Sequence, residues 1–261
     1  MTSAHPWTRY VAIGDSFTEG IGDPEPAVPG GSRGWADRVA EVLSETAEGG
    51  SQGFAYANLA IRGRLLDRIL AEQVEAAIEL KPDLITISAG GNDVIRPGSD
   101  PDDITQRYEA GLRRLVSEGA TVVVFTGPDP GRTAVLGLVR GKAAIYNENV
   151  RALASRYGAR VADLWKLTEL RDPRMWAPDR LHFSPVGHHT IARMVLDTLE
   201  VPNELEPYKP EPLPAVTWRR ATRGNIDWAR EYFVPWIGRR LTGRSSGDGV
   251  EPKRPGWGAV R

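Results

Sequence analysis

Ser16 follows Gly14-Asp15 at the end of a short apolar run, where a glycine lets the backbone turn and present a hydroxyl at a strand's carboxyl edge. Taken singly, a serine in that place is an ordinary helix cap. Far along the chain, Asp179-Arg180-Leu181-His182-Phe183-Ser184-Pro185 sets a carboxylate three residues before an imidazole, in a turn. Such a carboxylate accepts the Nδ1 proton and leaves Nε2 free to take a proton from a hydroxyl, which is how a serine becomes a nucleophile. The plainer alternative for this stretch is a surface loop with an incidental ion pair. Two further pieces suit the same chemistry. Ala89-Gly90-Gly91-Asn92-Asp93 offers an amide side chain beside a backbone that a ligand can approach closely, so Asn92 can donate to a developing oxyanion. Asn58-Leu59-Ala60-Ile61-Arg62-Gly63 ends in a glycine whose N–H is available for the same purpose. Each piece alone is also ordinary turn chemistry.

Competing readings fit the residues less well. Gly30-Gly31-Ser32-Arg33-Gly34 matches the G-x-S-x-G nucleophile pattern, but a loop of Gly, Pro and acidic residues precedes it where that pattern needs a strand. Asp15, Asp93, Asp179 and His182 have the donor types for a divalent metal, yet Asp15 and Asp93 read better as loop-holding residues, and no metal is expected. No G-x-G-x-x-G follows the first apolar run, so no dinucleotide and no other cofactor is expected. His188 and His189 read as helix residues, since neither has an acidic or histidine partner at a matching spacing.

The elements that must position these residues alternate. Short apolar runs at residues 10–13, 54–58, 83–88, 121–126 and 160–164 predict strands, and helical periodicity at 34–48, 65–80, 102–118, 141–157 and 187–199 predicts helices. That alternation implies a three-layer α/β/α sandwich around a central, mainly parallel, five-stranded sheet. In such sheets ligands bind beyond the strands' carboxyl ends, where three of the four pieces fall. Residues 18–33 and 127–140 are long insertions placed to wall a pocket, and the apolar 134–139 run offers either a lip for an acyl chain or a buried turn.

Composition sets the limits. At 41% hydrophobic and 26% charged the chain is ordinary globular material, and a net charge of −1 supplies no field to attract nucleic acid, so no nucleic-acid partner is expected. With no cysteine, thiolate chemistry and disulfides are excluded. No apolar run approaches the roughly 20 residues of a membrane span, and no basic leader precedes the first strand; a cytoplasmic protein without stable membrane insertion is the expectation. From residue 201 prolines accumulate, and the chain then becomes rich in Arg and Trp, carrying 11 basic against 7 acidic residues where residues 1–200 carry 22 against 27. We read residues 1–200 as one domain and 201–261 as a C-terminal Pro/Arg/Trp-rich extension. Within it Ile226, Trp228, Tyr232, Phe233, Trp236, Ile237 and Leu241 mark a short amphipathic helix interrupted near Pro235. Such a helix packs on its own domain or joins two copies into a homo-oligomer more readily than it lies on a membrane.

Taken together and in order, the four pieces resemble the SGNH (GDSL-like) hydrolase superfamily, whose blocks supply a Ser, a Gly, an Asn and a His. The likeness spans about residues 8–200 and aligns Ser16, Gly63, Asn92 and His182 with those blocks; Phe17 stands where the GDSL name has leucine. The resemblance implies a flavodoxin-like fold and a serine ester hydrolase working through an acyl-enzyme intermediate. It implies Ser16, Asp179 and His182 as the catalytic triad, and Ser16, Gly63 and Asn92 as the oxyanion hole. A small-molecule ester, of short acyl or acetyl type, is the expected substrate. The alternatives are an acyltransferase on the same serine, and a non-catalytic binding protein that uses the extension.

Overall fold

The first apolar run forms strand β1 (Arg9–Gly14), buried from Tyr10 onward. Burial on both faces is what a parallel sheet between two helical layers demands, and it explains why the run is continuously apolar rather than alternating. The pleat then divides its residues: Tyr10 and Ala12 join one core cluster, Val11 and Ile13 the other. The structure, a computed structural model, describes residues 5–47, 50–131, 136–213, 218–235, 245–258 and 260.

β1 pairs in parallel with β2 (Ala55–Asn58) and β3 (Leu84–Ser88), β3 with β4 (Thr121–Phe125), and β4 with β5 (Arg160–Ala162). One face is covered by α2 (Gly34–Thr46) and α7 (Pro185–Leu199). The other is covered by α3 (Leu66–Glu79), α5 (Pro101–Val116) and α6 (Arg140–Tyr157). The short helices α1 (Ser16–Glu19) and α4 (Gly91–Val94) follow β1 and β3 directly. Local signals account for the long helix ends. Asp100 caps α5 with Pro101 behind it, Ser184 caps α7 with Pro185 behind it, and Gly158 ends α6 in the left-handed region.

The expected five strands all form, but among the described residues the sheet has six, in the order β5-β4-β3-β1-β2-β6. The sixth, β6 (Arg254–Gly258), runs antiparallel along the outer edge of β2. The count of five missed it because Arg-Pro-Gly-Trp-Gly carries a proline and two glycines and no β-branched residue. An edge tolerates them, since a proline there gives up no ladder bond when its nitrogen faces outward. Lys253, just before β6, is anchored in the core: its ammonium donates to Ser32 O, Arg33 O and the Asp37 carboxylate, each at 2.9 Å.

In the extension, α8 (Trp218–Trp228) continues into one wide turn over Ala229–Phe233. Trp236, Ile237 and Leu241 lie outside the described residues, as do Ala134 and Val135 of the apolar run; Leu138 from that run is exposed. Among the described residues no helix is long and apolar enough to cross a membrane.

Candidate active site

β1 delivers Ser16 through a turn that only glycine permits. Gly14 has φ +151°, and a Cβ there would lie 2.6 Å from both Ser88 O and Thr18 Oγ1. Asp15 then caps α1, its Oδ1 accepting from Phe17 N at 3.0 Å. Phe17, at the position where the resemblance departs from leucine, turns inward and packs on Trp35, Phe125 and Phe183 with ring centroids 5.4–5.6 Å apart. The Ser16 turn is therefore seated on an aromatic base, and Ser16 is left half-buried at the carboxyl edge of the sheet.

His182 arrives from the opposite direction, on the loop ahead of α7. Its Nε2 lies 3.0 Å from Ser16 Oγ and its Nδ1 2.6 Å from Asp179 Oδ2. The other carboxylate oxygen accepts from the backbone N–H groups of Leu181 at 2.9 Å and His182 at 3.0 Å. Burial by itself would raise the Asp179 carboxyl. The His182 hydrogen bond and charge, with the two backbone N–H groups, outweigh it and hold the carboxyl below its ordinary range. An ionised Asp179 requires a proton on Nδ1, so the lone pair of Nε2 faces the Ser16 hydroxyl. Gly22 shapes this meeting, for a Cβ there would stand 2.1 Å from Phe183 O and 3.2 Å from His182 Cβ. The 18–33 insertion thus presses directly on the acid–base loop.

Asn92 and Gly63 come from the ends of β3 and β2. The Asn92 amide donates to Asp15 Oδ2 at 2.9 Å and to Arg64 O at 3.1 Å, which ties the three loops into one chain of hydrogen bonds. Among the described residues the N–H groups of Ser16 and Gly63 have no backbone acceptor. Burial, opposed by the Phe17 N–H and the His182 charge and aided by Asp93 and Glu19, pushes the Asp15 carboxyl up to about 6. Asp93 accepts from Leu66 N at 3.0 Å and so fixes the start of α3; burial raises it as well. These bonds fit the loop-holding part read for Asp15 and Asp93. Among the described residues no three His, Asp or Glu side chains converge as a metal would need.

Three contributors escaped the reading of the sequence. Glu19, buried on α1, accepts from Arg62 N at 2.6 Å and from its guanidinium, locking the Gly63 loop to the nucleophile helix. Asn58 donates to Thr18 O at 2.9 Å and accepts from Ala60 N at 3.1 Å, a second tie between the same elements. His188, fully buried on α7, accepts from Trp35 N and donates to Ile21 O, each at 3.1 Å; burial pushes its pKa down to about 4 and keeps it neutral. Nothing in local spacing pairs residues so far apart in the chain. His189 bonds Glu206 O at 3.0 Å, outside the site. Ser32, from the rival serine motif, pairs with Pro24 in an isolated bridge.

This geometry can pass a proton from a hydroxyl to an imidazole. Comparison with known proteins points the same way. A family model described as "GDSL-like Lipase/Acylhydrolase family" matches residues 12–190. Among solved structures, a putative GDSL-like lipase from Parabacteroides merdae aligns at 16% identity and TM-score 0.62, covering 75% of this chain and 96% of that one. An alpha/beta hydrolase enzyme from the metagenome of Lake Arreo, Spain, aligns at 22% identity and TM-score 0.58, with 76% and 97% covered. An acetyl xylan esterase from Geobacillus stearothermophilus aligns at 24% identity and TM-score 0.55, with 74% and 95% covered. At these identities the likeness is one of fold. A search of curated proteins gave no match.

Proposed function

The chain belongs to the GDSL-like lipase/acylhydrolase family and is a carboxylic ester hydrolase, and from that premise we propose that Ser16, His182 and Asp179 carry the reaction on small, short-chain acyl or acetyl esters. One observation carries the assignment: the relay from Asp179 through His182 to Ser16, with its 2.6 Å and 3.0 Å contacts. His182 Nε2 takes the Ser16 proton as Oγ bonds to the ester carbonyl carbon. The N–H groups of Ser16 and Gly63 hold the tetrahedral oxyanion, joined by the Asn92 amide once it gives up its bond to Arg64 O. Collapse breaks the bond to the alcohol, which leaves with the proton from His182. Water then repeats the sequence on the acyl-enzyme and releases the acid. The His182 side chain is 21% exposed, so water can reach the acyl-enzyme.

The short-acyl preference rests on what surrounds Ser16. Asp15, Glu19, Arg62, Arg64 and Asn92 make the oxyanion side polar and charged, a setting that suits a small acyl group on a hydroxylated alcohol better than a long alkyl chain. That a protein of the same fold acts on acetylated xylan agrees with this. We read the parallel part of the sheet as flavodoxin-like, residues 1–200 as the hydrolase domain and 201–261 as its extension.

The test is turnover of p-nitrophenyl acetate, butyrate and octanoate, together with labelling by a serine-directed fluorophosphonate. We expect falling turnover with chain length, and label on the Ser16 peptide alone. A well-folded wild-type protein that neither turns over any ester nor takes the label would overturn the assignment. Octanoate as the best substrate would overturn the acyl-length part only.

A further inference from the structure

The stretch matched by the family model ends at residue 190, yet the segment beyond it reaches the site from two directions. On one side, the indole N–H of Trp228 in α8 donates to Asp179 O at 2.8 Å. The next residue, Arg180, has φ +55°, a conformation that carries strain for any side chain but glycine. It is retained by two contacts to the same helix: its guanidinium donates to Asn225 Oδ1 at 2.7 Å and lies 5.2 Å from the centre of the Trp228 ring. On the other side, Ser245 Oγ donates to Gly63 O at 3.2 Å, and Arg64 donates to Gly247 O at 3.3 Å. The Lys253 anchor and β6 hold this part of the segment against the core.

We propose that α8 is a working part of the active site and that Trp228 is a positioning residue for the Asp179–His182 pair. Between β5 and α7 the chain has no strand to fix Asp179; short helical turns and the Trp176–Phe183 bridge are what it has. A carboxylate must stay within a few tenths of an ångström of the imidazole N–H to keep the ring aimed at Ser16, and displacements of about 1 Å cost on the order of a hundredfold in rate. The Trp228 bond to the Asp179 carbonyl, with Arg180 clamped beside it, fixes the backbone from which that carboxylate projects. Its effect on the imidazole runs through Asp179.

The proposal rests on the triad assigned above, and the experiment separates the two. In the full-length protein, Trp228→Phe keeps an aromatic face for Arg180 but has no N–H to donate. We expect kcat on p-nitrophenyl acetate to fall on the order of tenfold with KM nearly unchanged. We also expect the downfield proton NMR signal of His182 Hδ1, shared with Asp179, to move or broaden. Asn225→Ala, on the exposed side of α8, removes the other grip and should give a smaller change of the same kind; it also serves if Trp228→Phe fails to fold. Unchanged kcat and an unchanged downfield signal in whichever variant is folded would overturn the proposal. A tail that only stabilised the fold would lower the melting temperature and leave both readouts alone. Wild-type protein with no esterase activity would instead sink the triad assignment.

Discussion

Ser16 and the Asp179–His182 pair meet at 3.0 Å, but structures of different kinds hold them there. Ser16 leaves a strand buried at the centre of the sheet, and Asp15, Asn92, Glu19 and Asn58 bind its turn to the ends of the neighbouring strands. The acid–base loop has no strand of its own. It is folded on itself by Ala177 N donating to His182 O at 2.8 Å and Ser184 N to Met175 O at 2.9 Å, and α8 leans on it from outside. On the nucleophile side chemistry and folding share the same hydrogen bonds, whereas on the acid–base side they are largely separate. Substitutions on the two sides should therefore differ less in lost activity than in lost stability.

The largest effect sets the baseline. Ser16→Ala removes only the hydroxyl at a half-buried position, so esterase turnover should fall about a millionfold while the melting temperature holds. A residual rate within a hundredfold of wild type would mean another nucleophile. Asp179→Asn comes next, with kcat expected to drop about ten-thousandfold, because an amide cannot hold the imidazole in the required tautomer. Its stability should change less than that of Asn92→Ala, since the Asn side-chain oxygen can still accept from the Leu181 and His182 N–H groups. Asn92→Ala reverses that balance. Losing one oxyanion donor costs about a hundredfold to a thousandfold in kcat, and the buried Asp15 oxygen left without its donor should cost about 1–3 kcal/mol of stability. Denaturant unfolding beside turnover checks the pair. Equal stability losses in Asp179→Asn and Asn92→Ala would erase the distinction between the two sides.

The same division decides what was legible in the sequence. Ser16, Gly63 and Asn92 could be singled out because each follows an apolar run, and strand ends in a parallel sheet are where ligands bind. Asp179 and His182 could be found because three residues of turn suffice to bring carboxylate and imidazole together. All five parallel strands and five long helices were readable from periodicity, with ends displaced by a residue or two where caps rather than apolar spacing set the boundary, as at Ser184-Pro185. What stayed hidden is pairing at a distance. Glu19 reads as one more acidic residue in a polar loop until Arg62 is placed beside it, and Trp228 as one more aromatic until Asp179 is. β6 was illegible for a different reason: its edge position relaxes the demand for β-forming residues, and it then carries no local signature of a strand.

The smallest predicted effect compares two buried titratable groups, one from each side. Asp15, at the nucleophile turn, rises from 3.8 to about 6 on folding; His188, behind the acid–base loop, falls from 6.5 to about 4. Asp15 binds its proton more tightly when folded, so its contribution to stability is present at low pH and is lost as pH rises through about 6. His188 binds its proton less tightly when folded, so its contribution is present above about 6.5 and is lost as pH falls toward 4. Each shift corresponds to at most ~3 kcal/mol, and the two have opposite signs over nearly the same window. Asp179, Asp163, Asp129 and Asp172, all held below the ordinary range, are ionised in both states above pH 5 and add no slope there. Asp93 and Asp37, also raised by burial, add to the Asp15 arm, so the wild-type slope between pH 5 and 7.5 is a difference of opposed contributions and each variant is read against it. Asp15→Asn removes part of one arm and, relative to wild type, should lower stability at pH 5 against pH 7.5 by about 1–2 kcal/mol since the window is not fully spanned. His188→Gln removes the other and should tilt the curve the opposite way. Chemical denaturation at the two pH values reads both slopes. Variants that both keep the wild-type slope would show that these two groups do not carry the folding charge of their respective sides.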